Sequence, residues 1–279
     1  MEISNRGISI NVICDSDSIP SNKVPIIFLH GFTGSARDWL FLFNKLDSKY
    51  FPIAIDVPGH GKTNSPNNLD DFSTNSYVQA VNIVFKYFQI SKAILVGYSM
   101  GGRTALSFSI KYPQKTIALI LESATAGIEN EIERNSRIKT DSEIADKILL
   151  DGINSFINYW LNLPFFRSLK SLDNLVYDKL IEQKKNNSPS GLSNSLKGFS
   201  TGIMPSLWNQ LHILSIPTLL IAGKLDRKYV RINKEMNQLI RNSKMKTVDN
   251  CGHNTHLENR KEFVILVNQF LNNLENHES

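Results

Sequence analysis

Two cysteines, Cys14 and Cys251, are all that 279 residues contain. That is too few for a disulfide framework, and free thiols fit a reducing compartment, so a cytoplasmic location is expected. Long apolar runs are missing as well. None approaches the roughly 20 residues that cross a bilayer, and the opening Met-Glu-Ile-Ser-Asn-Arg lacks the apolar stretch of a secretory signal. Membrane insertion is therefore not expected. There is no convincing phosphate loop, dinucleotide fingerprint or cluster of His, Cys, Asp and Glu at metal-ligand spacing, so no cofactor and no metal are expected. Charge of one sign is only mildly in excess, 31 Lys and Arg against 26 Asp and Glu. These cations are scattered among acids without interleaved aromatics, which argues against a nucleic-acid partner. A locally basic pocket for a small acidic molecule is the better use for them. No motif specifies an oligomeric state.

What the chain does have is alternation. Residues 7–14 alternate apolar and polar side chains, the mark of an outer antiparallel strand. Apolar runs follow at 25–29, 51–55, 93–96, 117–121, 217–222 and 244–248, as strands buried on both faces of a parallel sheet read. Helical spacing fills 74–88, after a Ser-Thr cap signal, then 100–112, stopping before Pro113, and an amphipathic 259–274. The tail beyond Leu274 is polar and is expected to fray. This is the βαβ pattern of an α/β fold with a mostly parallel central sheet and helices on both faces. The pattern breaks between Leu121 and Pro217, a stretch too long for a simple crossover. It reads as a helical cap at 126–205, inserted between core segments 1–125 and 206–279. Such a cap would lie over the carboxyl edge of the sheet, where open α/β sheets bind ligands.

The strongest motif is Gly97-Tyr98-Ser99-Met100-Gly101-Gly102. It is G-x-S-x-G placed after a strand and before a helix, the context that makes Ser99 a nucleophile candidate rather than a small residue in a tight turn. The Met100 N–H would face a developing oxyanion. A second donor should come from the turn after the first buried strand, Leu29-His30-Gly31-Phe32, with the Phe32 N–H as candidate. The acid and base should follow in chain order. Asp226 stands just past the 217–222 strand, and His253 just past the last strand. His would take the Ser proton while Asp fixes the imidazole. Asp249 lies beside a turn-forming Asn250. Asp56 reads better as a loop-ordering carboxylate, and His30 as a loop-ordering imidazole. His256, opening the last helix, is expected to face the surface. Trp39 and Trp208 read as core.

These residues, with Asp56-Val57-Pro58-Gly59-His60-Gly61, resemble the α/β-hydrolase superfamily over nearly the whole chain. The resemblance narrows with Leu29-His30-Gly31-Phe32-Thr33-Gly34-Ser35 and Trp39, Val96 to Arg103, Leu121-Glu122-Ser123, Glu133-Arg134, Arg137, Asp141, Phe156, Tyr159-Trp160, Pro164-Phe165-Phe166 and Cys251 to Asn259. Together they resemble the menaquinone/phylloquinone-pathway lyases usually called MenH, the 2-succinyl-6-hydroxy-2,4-cyclohexadiene-1-carboxylate synthases. The resemblance implies pyruvate elimination from an enolpyruvyl cyclohexene tricarboxylate. Triad-activated Ser99 would then act as a base, and Phe32 and Met100 would hold the enolate. It also implies carboxylate- and pocket-forming roles for Tyr98, Arg103, Arg137 and Trp160. Lys184 aligns where the family has a second cap arginine, and Thr125-Ala126-Gly127 stands in place of its Ser-Pro-Gly. Plainer readings stand beside these: Arg103 snorkelling from a helix surface, Arg134 and Arg137 on a solvated helix face, Trp160 in the core of the cap. Two other functions fit the same motifs. One is a serine hydrolase working through an acyl-enzyme, the other a non-catalytic ligand-binding module.

Overall fold

Six of the predicted strands form the parallel part of one eight-stranded sheet, seen in a computed structural model that describes residues 1–5, 8–64 and 68–275. They are β3 (Val24–Leu29), β4 (Tyr50–Ile55), β5 (Ala93–Tyr98), β6 (Thr116–Glu122), β7 (Thr218–Gly223) and β8 (Ser243–Val248). β2 (Ile8–Ile13) pairs antiparallel with β4, as its alternation requires, and β1 (Glu2–Asn5) pairs antiparallel with β2. The order is β1-β2-β4-β3-β5-β6-β7-β8. β1 has no sequence signal, because four residues are too few to show a period. β8 corrects an expectation. It is the edge strand, and most of its side chains, the two lysines among them, are at least partly exposed rather than buried on both faces.

Period-two side-chain placement divides the core into two layers. From β3, Ile27 and Leu29 join one apolar cluster, while Ile26 and Phe28 join the other. The first cluster is closed by α2 (Thr74–Tyr87), α3 (Met100–Lys111) and α7 (Arg227–Leu239). The second is closed by α9 (Arg260–Glu275) and by Trp39 just before the short α1 (Leu40–Phe43). Ser73 caps α2 by accepting the Ser76 N–H. Trp39 is wholly buried, as expected of core. Trp208 is only partly buried at the cluster's edge, where its indole N–H donates to the Gly127 carbonyl at 3.0 Å. A one-turn α8 (Thr255–Glu258) precedes α9. The tail expected to fray, 276–279, lies outside the described residues, as does Gly7.

Between β6 and β7 the described residues contain no strand. Instead come α4 (Glu131–Leu161), a 3-10 segment (Pro164–Ser171), α5 (Asn174–Lys185) and α6 (Pro189–Phe199). They pack around their own cluster, including Ile148, Phe156, Leu161, Phe166 and Leu192. α4 is broken at Gly152, whose φ of 74° and ψ of 167° no helix contains. Only glycine takes that turn without a Cβ clash, and the space around it is open. The two ends of the segment meet where the Leu207 N–H donates to the Ala126 carbonyl at 2.7 Å.

Candidate active site

Ser99 sits between β5 and α3 with φ 51° and ψ −105°. A non-glycine residue there costs on the order of 1–3 kcal/mol and persists only where its surroundings hold it. The surroundings are close. A Cβ on Gly101 would lie 2.1 Å from the Leu29 carbonyl oxygen, and one on Gly97 2.4 Å from the Gly101 carbonyl oxygen. The Ser99 N–H donates to the Glu122 carbonyl at 2.8 Å, and its own carbonyl accepts the Arg103 N–H at 3.0 Å. Gly101→Ala is therefore expected to destabilise the fold by at least ~1–3 kcal/mol through overpacking against backbone that cannot yield. Thermal unfolding checks this, and an unchanged midpoint would show that the turn can relax.

His253 lies in the loop after β8 and is almost fully buried. Its Nε2 is 3.0 Å from Ser99 Oγ and its Nδ1 is 2.6 Å from Asp226 Oδ2. The carboxylate takes the Nδ1 proton's hydrogen bond, which leaves Nε2 free to accept from the serine. Asp226 Oδ1 accepts the Tyr229 N–H at 3.2 Å, so the first turn of α7 holds the acid in place. Burial pushes the His253 pKa below its ordinary value, an effect that Asp226 opposes. The ring is boxed by Phe165, with centroids 3.8 Å apart, by Tyr229 at 4.5 Å and by Tyr98 at 5.4 Å.

The rival residues are occupied elsewhere. Asp249 is exposed and pairs with Lys224 at 2.9 Å. Asp56 accepts the Ala36 N–H at 2.6 Å and the Lys62 N–H and Asn11 Nδ2 at 2.8 Å, which ties three loops together. His30 donates from Nδ1 to the Gly31 carbonyl at 2.8 Å and accepts the Val57 N–H on Nε2 at 3.1 Å. Both match the loop-ordering reading. His256 corrects the sequence reading outright. It is completely buried, stacked on Trp39 at 4.5 Å, with Nδ1 2.6 Å from Glu122 Oε2. Glu122 also accepts Thr255 Oγ1 at 2.6 Å and the His256 N–H at 2.9 Å, so a buried carboxylate pins the turn that carries His253. The helix start is buried because Trp39, Tyr98 and Phe263 pack around the His256 ring.

Ser99 opens into a cavity of about 280 Å³. Phe32 and Met100 line it beside Ser99. Met100 is the first residue of α3, so its N–H has no carbonyl within the helix to bond. Trp160 and Phe165 form walls, and Trp160 also packs against the insertion's own apolar cluster. Arg103 lines the cavity and is buried, which excludes snorkelling. Its Nη1 donates to the Phe199 carbonyl at 2.5 Å, its guanidinium lies 4.7 Å from the Phe199 ring centroid, and it has no acidic partner among the described residues. Burial lowers its pKa to about 10, which leaves it charged at neutral pH. Arg137 reaches the same cavity from α4, its Nε 2.6 Å from Asp141 Oδ2, with its side chain 36% exposed. Lys228, which sequence reading missed, is a third cation on the wall. The signal was present: Lys228 and Tyr229 open the helix that Asp226 caps, so the acid's own turn carries them to the site. Four hydrogen-bonding atoms of lining residues, Asp141 Oδ1, Trp160 Nε1, Ser200 Oγ and Thr201 Oγ1, are buried without partners among the described residues.

Two expected pocket residues stand apart. Tyr98 does not line the cavity. It packs beneath it, against Gly31, His253 and His256. Lys184 does not line it either. It is buried, with Nζ 3.1 Å from Thr33 Oγ1. Its stem crosses from α5 to the turn after β3, where Thr33 takes the ammonium.

Comparison with known proteins bears on the fold and the family. The family model for the alpha/beta hydrolase fold matches residues 24–260. A Bacillus subtilis (strain 168) protein, which bears the name 2-succinyl-6-hydroxy-2,4-cyclohexadiene-1-carboxylate synthase as a provisional assignment, is 39% identical over 93% of this chain and 94% of its own. The Enterobacter sp. (strain 638) synthase of that name is 29% identical over 88% of this chain and 91% of its own. The solved structure of MenH from S. aureus superposes with a TM-score of 0.89 at 32% identity, covering 95% of this chain and 98% of that one.

Proposed function

The chain belongs to the α/β-hydrolase fold family and, within it, to the 2-succinyl-6-hydroxy-2,4-cyclohexadiene-1-carboxylate synthases, and on that premise we propose that it eliminates pyruvate from 2-succinyl-5-enolpyruvyl-6-hydroxy-3-cyclohexene-1-carboxylate. The observation that carries the reading is one juxtaposition. A buried Ser–His–Asp relay opens onto a cavity with three cations, Arg103, Arg137 and Lys228, and one carboxylate, Asp141. The substrate carries three carboxylates, and guanidinium forks bind carboxylates in two parallel bonds. A neutral ester has no use for such a surplus.

The chemistry follows from the atoms. Ser99 Oγ gives its proton to His253 Nε2 and removes the ring proton α to the succinyl ketone. The electron pair moves onto the ketone oxygen, where the Phe32 and Met100 N–H groups stabilise the enolate. It then returns through the ring double bond and breaks the C–O bond to enolpyruvate. The leaving group takes up a proton and tautomerises to pyruvate. No bond to Ser99 forms. The division at 1–125, 126–205 and 206–279 and a cytoplasmic location belong to the same reading. The first is supported by the helical segment whose ends meet at Ala126 and Leu207, the second by the two free cysteines.

Two assays run side by side test the activity. Pyruvate release from the enolpyruvyl substrate is expected to be fast, and hydrolysis of p-nitrophenyl acetate slow. The reverse would make the protein a hydrolase with the same triad. The pH profile tests the base. His253 must be neutral to accept a proton, and burial holds its pKa below the ordinary 6.5. The acid limb of kcat/KM is therefore expected below pH 6.5, with a plateau through neutrality. A limb centred above 7 would mean that another group is being titrated.

A further inference from the structure

Lys184, removed from the substrate pocket by its geometry, is part of a contact between the helical insertion and the candidate oxyanion turn. Gly31 to Gly34 form a β-turn closed by the Gly34 N–H on the Gly31 carbonyl at 3.0 Å, with Phe32 and Thr33 at its centre. Thr33 has φ 64°. That third turn position is ordinarily glycine or asparagine, since a β-branched side chain disfavours the left-handed region. Both polar groups of Thr33 outside its own N–H are taken by the insertion. Lys184 Nζ donates to its Oγ1 at 3.1 Å, and Asn187 Nδ2 donates to its carbonyl at 3.0 Å. The two donors are tied to each other, because Asn187 Nδ2 also reaches the Lys184 carbonyl at 3.0 Å. On the far side Asn187 Oδ1 accepts the Gly61 N–H at 2.8 Å. Gln183, one residue earlier, donates to Ser35 Oγ at 2.9 Å and to Asp38 Oδ1. Lys184, Asn187 and Thr33 are all buried.

We propose that Lys184 and Asn187 act as a clamp by which the insertion holds Thr33 in its left-handed conformation and so keeps the Phe32 N–H aimed at the enolate oxygen. Lys184 is thus a positioning residue and not a substrate ligand. The inference rests on the oxyanion role given to Phe32 under the proposed function. A turn residue that wants to leave positive φ rotates the neighbouring peptides as it does so. A donor misplaced by about an ångström can cost up to roughly 10²-fold in rate. The clamp also makes the turn sense the seating of the insertion, since Thr33 is held by residues at the end of α5.

The test uses Lys184→Met, which keeps the stem and removes the donor, together with Thr33→Gly, which lets the turn keep positive φ unaided. Lys184→Met is expected to lower kcat for pyruvate release by roughly 10- to 100-fold at unchanged KM. It should also speed amide hydrogen exchange of the peptide covering 31–38 while leaving the β5 peptide as in wild type. Adding Thr33→Gly to Lys184→Met is expected to restore most of kcat, a rescue that a generally loosened fold would not show. Asn187→Ala tests the other donor by the same exchange measurement and serves if Lys184→Met fails to fold. A raised KM at unchanged kcat would return Lys184 to the substrate and overturn the clamp. So would unchanged exchange at 31–38, or no recovery with Thr33→Gly. If the wild type releases no pyruvate, the functional reading fails, and the exchange experiment alone still decides whether the clamp holds the turn.

Discussion

Ser99→Ala is expected to reduce kcat for pyruvate release by ~10²–10⁴-fold, the range that a positioned general base contributes, with little change in KM. The argument is geometric. Ser99 Oγ is the atom of the relay that reaches the cavity, and His253 Nε2 stands behind it at 3.0 Å. Removing the hydroxyl leaves the cations in place, so binding survives while proton abstraction fails. His253→Ala should cost a similar factor, and the double variant little more, because the two act as one unit. Steady-state kinetics on the three variants checks this. Strictly multiplicative losses would mean that Ser99 and His253 act in separate steps, and near-normal turnover by Ser99→Ala would transfer the base role to His253 itself.

Arg103→Ala is expected to lower kcat/KM for the tricarboxylate by about 10- to 100-fold, the value of one or two charge-assisted hydrogen bonds, mainly through KM. Arg103 is held by the Phe199 carbonyl and ring yet has no carboxylate partner among the described residues. A buried cation without a paired carboxylate has its desolvation cost only partly repaid by the Phe199 carbonyl and ring, so its removal should leave the thermal midpoint little changed. That combination, weaker substrate with undiminished stability, separates a binding residue from a structural one. Arg103→Lys should recover only part of the loss, since a point charge does not replace a fork. A large drop in thermal midpoint with KM unchanged would make Arg103 a packing residue.

The fold was legible wherever burial imposes a pattern. β3, β5 and β7 are apolar because both faces are covered, and G-x-S-x-G marks Ser99 because only small flanking residues let the elbow approach Leu29. Chain order then picked out Asp226 and His253, which the fold brings within hydrogen-bond reach. What escaped reading depends on contacts distant in sequence. β8 looks like an inner strand until the topology puts it at the edge. His256 looks like a surface helix start, yet Glu122, 134 residues away, takes its Nδ1 and N–H into the core. Lys184 and Lys228 exchange places for the same reason. Alignment to a family arginine pointed to Lys184, but the direction of α5 sends its ammonium to Thr33. Lys228 reaches the cavity because Asp226 caps the helix that it opens. Charge type is written in the sequence; the direction of a long side chain is set by the element that carries it.

The central claim is that Ser99 serves as a base and forms no bond to substrate. The most direct test is the intact mass of the wild-type protein, quenched during steady-state turnover of the enolpyruvyl substrate while pyruvate accumulates. The account predicts an unmodified mass at every time point. A species carrying a substrate fragment on the peptide that contains Ser99, formed and consumed at the rate of turnover, would contradict it and make the protein a covalent catalyst.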